Sequence, residues 1–426
     1  MKLSDKICRI YGYGIFEIFL GQIMAQDYKE IQFFSPWMGP FPTWHNQYIG
    51  KGIPGITRLD SWEDGQENVD LFCFFDVGDG DKQKQLRERI KKGELKKDAR
   101  VFGAGESGEQ EMDRLKFKKT LVAQGLAVPK YDIVVGIDAL HTLLKKEKDL
   151  WIKLNVENRG LMETFHHKTY KKSLGKLDEL AHKLGPLRET EKFMWEKPIP
   201  GVEPGADWFM AHSEYYEQGL WGYEAKGDGY CAKVSTYDDL PAPIKKVNNA
   251  MKPVWKRYDI CGALSSEIRF GLSRIPHFID ACQRMGNPPA ASISSIYKNL
   301  PKIIDAVAGG EIIKPEFNGT HVAELTIEAE GAKEEPIPFD WSEKDMHSIK
   351  LRRACVVDGQ YWNIPFKDSA TVAKAVGVGD SREEAEFNAL EAAAKFECEG
   401  KTYNKATFEE LEEITKEAKK YGLPDL

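Results

Sequence analysis

The sequence predicts an α/β protein with more than one domain, and three observations support this. Short apolar runs alternate with helical stretches in the N-terminal part, which is typical of a parallel sheet covered by helices. The chain has 426 residues, more than the roughly 100–200 of a single domain. Its apolar content of 42% and ten tryptophans can fill large cores. We therefore expect two to four domains.

The amino-acid composition limits the kinds of molecule that this protein is expected to bind. The net charge of −7, without a basic tract, argues against a nucleic-acid surface. No apolar run reaches the roughly 18 residues of a membrane span, and the first residues lack the apolar core of a signal peptide. Seven scattered cysteines without a CxxC pair favour a reducing compartment. We expect a cytoplasmic protein that binds small molecules and neither nucleic acid nor membrane.

Four apolar runs near the N-terminus predict strands: the start of ICRIYGYGIFEIFL, then EIQFFSPW, VDLFCFFDVGDG and ARVFGAG. The first precedes a turn at Gly12 and Gly14 that lacks the complete dinucleotide-binding spacing, because position 17 is Glu. The third ends at Asp76 and Asp79. Ligands of parallel sheets bind at the carboxyl ends of strands, so these acids are candidates for a site. A polar turn that closes a buried strand is the alternative.

Three cations stand at positions that favour anion binding. Residues 109–126 predict one helix, on which Arg114 and Lys118 are four apart and face the same side. The run DLWIKLN predicts a strand with Lys153 among apolar residues, a costly place unless its ammonium meets an anion or a carboxylate. Ordinary surface cations, or a structural ion pair for Lys153, are the alternatives.

Two pairs of acids complete this pattern. Glu196 and Glu203 flank the Pro-rich elbow in WEKPIPGVE. Glu267 and Asp280 lie on the two arms of a predicted β-hairpin, where paired strands bring them together. Cations that bind phosphate oxygens, next to carboxylates that hold Mg²⁺, are what a magnesium–triphosphate complex requires. Solvent-facing acids without such a role are the alternative.

The stretch HFIDACQRMGNPP, residues 277–289, concentrates charge on a predicted strand. Asp280, Cys282 and Arg284 alternate, so a strand would direct all three to one face.

The adjacent His166 and His167 are a further candidate, as a pair of metal ligands. Neighbouring side chains diverge, however, so we expect a solvated loop there.

The order of these motifs resembles the ATP-grasp family. MDRLKFKKTLVAQGLAVPKY is similar to the segment that opens the ATP-grasp domain of carbamoyl-phosphate synthetase large chains. DACQRMGNPP is similar in register to the E-F-N-x-R-F-G-D-P-E signature of phosphoribosylamine–glycine ligases, and GDSREEAEFNALEAAAKFECEG resembles their C-terminal segment. The resemblance spans about residues 1–420 in order and is dense in motifs over 109–289.

The resemblance implies a fold and a domain plan. The fold would be the α/β (α+β) ATP-grasp fold. A Rossmann-like N-terminal domain would cover residues 1–105. A two-lobed ATP-grasp unit would cover 106–328, with its smaller lobe at about 125–195, and a small α/β C-terminal domain would cover 329–426.

The resemblance also implies a site for ATP with Mg²⁺ or Mn²⁺. The residues expected to contact the nucleotide are Arg114, Lys118, Lys153, Glu196, Lys197 and Glu203. The expected metal ligands are Glu267 and Asp280. The expected catalytic residues are Lys153, Arg159, in a loop over the phosphates, and Arg284, which would stabilise an acyl phosphate. The acceptor would bind near Gly12, Gly14 and Asp76.

The implied reaction is a carboxylate–amine ligation of the glycinamide-ribonucleotide-synthetase type. A small carboxylate such as an amino acid forms an acyl phosphate, an amine displaces the phosphate, and ADP is released. Cys282 departs from the metal-binding asparagine of the family, and the N-terminal G-G-R-E-H motif is absent. A carbamoyl-phosphate-synthetase-like carboxylate kinase and a catalytically weak ATP-binding module remain as alternatives. The oligomeric state is expected to be a monomer or a homodimer.

Overall fold

The computed structural model describes residues 2–36, 47–154, 164–367 and 369–426. These described residues form a mixed α/β fold of four β-sheets and eleven α-helices. The α/β fold class predicted from the sequence is therefore confirmed. None of the helices in the described ranges is long and apolar enough to cross a membrane.

The N-terminal sheet is parallel and has five strands in the order β3-β2-β1-β4-β5. Its elements are β1 (Ile7–Tyr11), α1 (Glu17–Met24), β2 (Glu30–Phe34), β3 (Ile56–Arg58), β4 (Leu71–Phe74), α2 (Gly80–Lys91) and β5 (Arg100–Phe102). Every residue of β4 is buried, which explains its unbroken apolar run, because strands covered on both faces do not alternate. The four predicted strands are confirmed, and β3 is an additional one.

Two helices replace the single helix predicted at 109–126. They are α3 (Glu109–Met112) and α4 (Arg114–Ala123). The backbone is extended at Asp113, whose carboxylate accepts a hydrogen bond of 3.0 Å from the Lys116 backbone N–H and so caps α4. A side-chain cap of this kind satisfies one of the free N–H groups at a helix start.

A four-stranded antiparallel sheet, in the order β6-β9-β7-β8, follows. Its elements are β6 (Tyr131–Val135), α5 (Ile137–Lys146), β7 (Leu150–Leu154), β8 (Thr164–His167), α6 (Tyr170–Leu184) and β9 (Lys192–Glu196). Alternate strand residues such as Ile152 and Phe193 pack against the helices in a separate core. The intervening residues therefore face away from this core.

A ten-stranded antiparallel sheet forms the largest layer. Eight strands are in the order β15-β14-β10-β12-β13-β16-β21-β18, with β11 beside β10 and β23 beside β16. These strands are β10 (Pro204–Ala211), β11 (Glu214–Tyr215), β12 (Gln218–Ala225), β13 (Gly229–Thr236), β14 (Gly262–Arg269), β15 (His277–Cys282), β16 (His321–Ala329), β18 (Ile349–Leu351), β21 (Thr371–Gly379) and β23 (Lys401–Thr402). The helices that follow or flank them are α7 (Ala242–Trp255), α8 (Ala290–Ile296), α9 (Leu300–Ala308), α10 (Arg382–Lys395) and α11 (Thr407–Lys420).

The fourth sheet is small and lies in the C-terminal part. It has the order β19-β20-β17-β22 and consists of β17 (Ile337–Asp340), β19 (Ala354–Val357), β20 (Gln360–Asn363) and β22 (Glu397–Cys398). The ten-stranded sheet crosses the predicted boundary at 328/329, because β16 pairs with β13 on one side and with β21 on the other. The division into three domains stays a prediction.

Gly201, in the elbow between β9 and β10, yields the first prediction. Its φ is +125°, and a Cβ at this position would lie 2.2 Å from the carbonyl oxygen of Phe270. Gly201→Ala should lower the free energy of unfolding by about 1–3 kcal/mol, because the backbone on both sides would have to move.

The matched control is Gly175→Ala within α6, where a Cβ meets no atom within 4 Å. This change should raise the free energy of unfolding by about 0.5–1 kcal/mol, because alanine favours the helix. Urea denaturation measures both variants. A Gly201→Ala protein as stable as the wild type would contradict the prediction.

Candidate nucleotide-binding site

A cavity of about 430 Å³ lies between the four-stranded sheet, α4 and the edge of the ten-stranded sheet. All eight residues expected to contact the nucleotide or the metal line it: Arg114, Lys118, Lys153, Glu196, Lys197, Glu203, Glu267 and Asp280. They come from five separate segments of the chain. The structure therefore brings the predicted binding residues together, while their roles stay predictions.

Strand alternation explains how the smaller lobe contributes to this cavity. On β7, Trp151 and Lys153 face the cavity, whereas Ile152 packs into the core behind it. On β9, Met194 and Glu196 face the cavity in the same way. Because side chains alternate along a strand, the residues that pack into the core leave Trp151, Lys153, Met194 and Glu196 on the cavity side.

A buried ionic cluster forms one wall of the cavity. The Glu196 carboxylate lies between two ammonium groups, with its Oε1 2.6 Å from Lys153 Nζ and its Oε2 2.9 Å from Lys118 Nζ. The Lys118 side chain is only 2% exposed. The cluster ties α4 to β7 and β9, and it holds two positive charges and one negative charge.

Burial and the neighbouring charges have opposite effects on the pKa values of Glu196 and Lys118. Burial raises the pKa of Glu196, but the ammonium groups of Lys153 and Lys118 more than offset this, so the pKa lies below its usual value. Burial lowers the pKa of Lys118, and Glu196 only partly restores it. The net positive charge of the cluster suits an anion such as phosphate.

Acidic side chains form the opposite wall. Glu267 on β14 lies directly opposite Asp280 on β15, next to a β-bulge. This confirms the predicted hairpin. Burial, followed by the neighbouring acids Asp280 and Glu203, raises the pKa of Glu267 well above its usual value, against the opposing effect of Lys226. A cation placed among these carboxylates would relieve their mutual repulsion.

Lys226, in the turn between β12 and β13, already supplies part of that positive charge. Its ammonium lies 2.9 Å from Glu203, 2.8 Å from Glu224 and 3.2 Å from Glu267. Burial would lower the pKa of Lys226, but the three carboxylates raise it instead. Arg269 also holds Glu203, at 2.9 Å.

The acidic wall fits a magnesium ion that a nucleotide would complete. Among the described residues, no group of three or more His, Cys, Asp or Glu side chains is arranged to hold a metal. Mg²⁺, however, is usually held by one or two carboxylates together with substrate phosphates and water. The facing pair of Glu267 and Asp280 meets that requirement.

Arg284 is not among the residues that line this cavity. Strand β15 ends at Cys282, so the prediction that Arg284 lies on one strand face with Asp280 is wrong. Its guanidinium is 2.8 Å from Glu111 of α3 and 3.6 Å from Asp76, beyond the end of β4. Two acids from other elements thus orient Arg284 toward the N-terminal sheet.

The other predicted residues have varied surroundings. Cys282 is 4% exposed and lies opposite Ser265, and burial raises the pKa of its thiol well above the usual value. Arg159 lies outside the described residues. His166 and His167 belong to β8 and His167 is fully buried, so the solvated loop predicted for them is wrong.

The sequence reasoning missed several residues that line the cavity. These are Phe117, Trp151, Thr164, Met194, Ile199, Lys226, Arg269 and Ile279. Arg269 could have been found, because it lies two residues after Glu267 on the same strand and so faces the same side. The residues around Lys226 give no indication that it lies in the cavity, because its position there depends on strands distant in sequence.

Comparisons with solved structures identify the fold. Phosphoribosylamine–glycine ligase from Thermotoga maritima is 17% identical, with a TM-score of 0.63, over 94% of this chain and 99% of that one. The biotin carboxylase domain of Hydrogenobacter thermophilus 2-oxoglutarate carboxylase, solved with MgADP, ADP and bicarbonate, is 12% identical, with a TM-score of 0.61, over 95% and 98%. N5-carboxyaminoimidazole ribonucleotide synthetase from Thermus thermophilus is 15% identical, with a TM-score of 0.56, over 91% and 98%.

These neighbours are ATP-grasp ligases, and this chain has the ATP-grasp fold that its motifs predicted. No protein-family model matches the chain, and no curated protein matches its sequence. At these identities the likeness establishes the architecture, while the chemistry has to be argued from the site.

Glu196 provides the second prediction. Glu196→Gln should lower the free energy of unfolding at pH 7 by about 3–5 kcal/mol, because it leaves the buried Lys118 without its counter-charge. The folded-state pKa of Glu196 lies below the usual 4.5, so the wild type loses this contribution as the pH falls below that value. The difference between the two proteins should therefore shrink in acid.

The control is Glu147→Gln, which breaks a solvent-exposed pair of 3.2 Å with Lys197. It should change stability by less than about 1 kcal/mol at any pH. Urea denaturation from pH 3 to pH 8 measures both variants. If the effect of Glu196→Gln on stability did not depend on pH, the lowered pKa of Glu196 in the folded protein would be contradicted.

Proposed function

We propose that this protein is an ATP-dependent carboxylate–amine ligase of the glycinamide-ribonucleotide-synthetase type. One observation carries the proposal: a single cavity has lysines and an arginine on one wall and the paired carboxylates of Glu267 and Asp280 on the other. This arrangement suits a polyphosphate that brings a divalent cation. The ATP-grasp ligases of the same fold, one of them solved with MgADP, support it.

The binding roles follow from the walls of the cavity. Arg114, Lys118 and Lys153 would hold the phosphates, with Arg159 as a further cation. Glu196 positions the two lysines, and Lys197 and Glu203 would contact the nucleoside. Glu267 and Asp280 would hold Mg²⁺ or Mn²⁺, which when bound neutralises charge on the phosphate oxygens.

The reaction has two steps. A carboxylate oxygen of the first substrate attacks the γ-phosphorus, the bond to the bridging oxygen breaks, and ADP leaves. The amine then attacks the acyl carbon, inorganic phosphate leaves, and the amine loses a proton. Phosphoryl transfer depends on positioning and charge neutralisation more than on a protein nucleophile, which agrees with the charged side chains that line the cavity.

The acceptor would bind between the N-terminal sheet and the ATP cavity. Arg284 supports this location, because Asp76 and Glu111 hold its guanidinium beside the carboxyl end of β4. Its planar donor fork would stabilise the acyl phosphate. The cytoplasmic location and the state of monomer or homodimer remain part of the proposal.

The proposal is tested by measuring ADP release from Mg·ATP in a matrix of small carboxylates crossed with amines, phosphoribosylamine included. Release that requires one acid and one amine would establish the ligase and identify both substrates. Release with a carboxylate alone would instead indicate a carboxylate kinase. Bound ATP with no release in any combination would favour a binding module, to which the buried Cys282 points.

The third prediction concerns Lys153 in that assay. Lys153→Met should lower the rate of ADP release by at least about 100-fold, because a cation expected at the transferred phosphate is lost. Lys146→Met, at an exposed position of α5, should leave the rate unchanged. Equal rates for the Lys153→Met protein and the wild type would contradict the phosphate role.

The fourth prediction concerns Cys282 and the metal. Cys282→Asn should tighten binding of Mn²⁺ in the presence of ADP, because an amide oxygen is a harder ligand than a thiol. Cys282→Ala removes the thiol without adding a ligand and should leave the affinity unchanged. Electron paramagnetic resonance of free Mn²⁺ measures both. Equal affinities for the two variants would mean that position 282 does not border the metal.

A further inference from the structure

Lys226 pairs with one of the two carboxylates that are expected to bind the metal ion. Its ammonium lies 3.2 Å from Glu267, and it also lies 2.9 Å from Glu203 and 2.8 Å from Glu224. Lys226 and Glu267 both line the nucleotide cavity. The protein therefore holds a cation of its own against a carboxylate that a divalent ion would also need.

The backbone that carries Lys226 is anchored. Lys226 lies in the turn that joins β12 to β13. In this turn, the carbonyl oxygen of Asp228 accepts a hydrogen bond of 2.7 Å from the backbone N–H of Thr326. The Asp228 carboxylate accepts another, of 2.6 Å, from the side-chain amide of Asn404. Because the turn is held in this way, movement of the ammonium has to come from the Lys226 side chain.

The Lys226 side chain is suited to such a movement. It is 58% exposed, whereas the side chains of Glu203, Glu224 and Glu267 are 16%, 19% and 25% exposed. A lysine carries its charge on a flexible stem, and water can solvate the ammonium once it leaves the wall. Glu203 also has the guanidinium of Arg269 at 2.9 Å. Departure of Lys226 would therefore leave Glu203 balanced and Glu267 open to another cation.

A divalent ion at Glu267 would be repelled by the ammonium of Lys226. The repulsion between two cations falls only slowly with distance and is doubled when one of them carries two charges. A free divalent ion therefore has to displace the ammonium before it can bind well. A nucleotide relieves this competition, because its phosphate oxygens bind the ion and offer the ammonium a new partner.

We propose that Lys226 is a resident counter-ion of the acidic wall, which weakens the binding of a free divalent cation and withdraws when the cation arrives with a nucleotide. Lys226 thereby couples occupation of the metal site to occupation of the nucleotide site. This inference rests on the proposed function, because it assigns a regulation to the same site. It concerns a lysine in the β12–β13 turn and leaves the expected metal ligands unchanged.

The test measures Mn²⁺ binding without nucleotide, by electron paramagnetic resonance of free Mn²⁺ at constant ionic strength. Lys226→Met removes the charge but keeps an unbranched side chain. It should tighten Mn²⁺ binding roughly ten- to hundred-fold, because a repelling charge next to Glu267 is lost. Lys226→Arg retains the charge and should bind Mn²⁺ as weakly as the wild type does.

Lys256→Met is the matched control. The Lys256 side chain is 60% exposed and pairs with Glu214 at 3.0 Å, but neither residue is among those that line the cavity. This variant should bind Mn²⁺ as the wild type does. Adding Glu267→Gln to Lys226→Met should remove the gain in affinity, which locates the gain at the acidic wall. Urea denaturation identifies any variant that fails to fold, and Lys226→Gln then replaces Lys226→Met in the comparison.

The coupling to the nucleotide has a separate readout. ADP should tighten Mn²⁺ binding to the wild type much more than binding to Lys226→Met, because this variant already binds the ion alone. The comparison is made after correction for the Mn²⁺ that ADP binds in solution. Coupling of one size in the two proteins would show that Lys226 does not link the two ligands.

The outcomes separate this inference from the proposed function. If the wild type binds Mg·ADP in isothermal titration calorimetry but Lys226→Met binds Mn²⁺ no more tightly than the wild type, the counter-ion role is wrong and the ATP site stands. If Lys226→Arg gains as much affinity as Lys226→Met, charge is not the cause and the role is again wrong. If the wild type binds no Mg·ADP while Lys226→Met gains an affinity that Glu267→Gln removes, the counter-ion role stands and the proposed function fails.

Discussion

The ionic cluster around Glu196 is the interaction on which the rest of the site depends. One carboxylate on β9 binds the ammonium groups of Lys118 on α4 and Lys153 on β7. These three elements are separate in sequence, and the cluster fixes their spacing. It also lets two lysines approach each other at low exposure, which their mutual repulsion and desolvation would otherwise oppose.

The two walls of the cavity carry opposite charge, so a ligand with both negative and positive groups would complement both of them. The lysine wall has an excess of positive charge, whereas the other wall has three acids, Glu203, Glu267 and Asp280, that Lys226 and Arg269 only partly balance. A polyphosphate with a divalent cation satisfies both walls at once.

Half of the residues that line the cavity were predicted from the sequence, and most of these carry a local signal. A lysine in an apolar strand, cations four apart on a helix and acids on a hairpin all follow from short-range periodicity. Arg284 was misplaced because its partners, Glu111 and Asp76, come from distant segments. Two further features could not be predicted, because they depend on contacts between segments distant in sequence, which periodicity does not encode. One is the continuation of the large sheet across position 329, and the other is the contact of Lys226 with three carboxylates.

Hydrogen–deuterium exchange on addition of Mg·ATP tests the central claim, that this cavity is the nucleotide site. We expect slower exchange in β7 (Leu150–Leu154) and β9 (Lys192–Glu196), which supply the ionic cluster, and in the β14–β15 hairpin, which supplies the acids. Protection confined to α10 and α11 in the C-terminal part, or no protection at saturating Mg·ATP, would contradict the account.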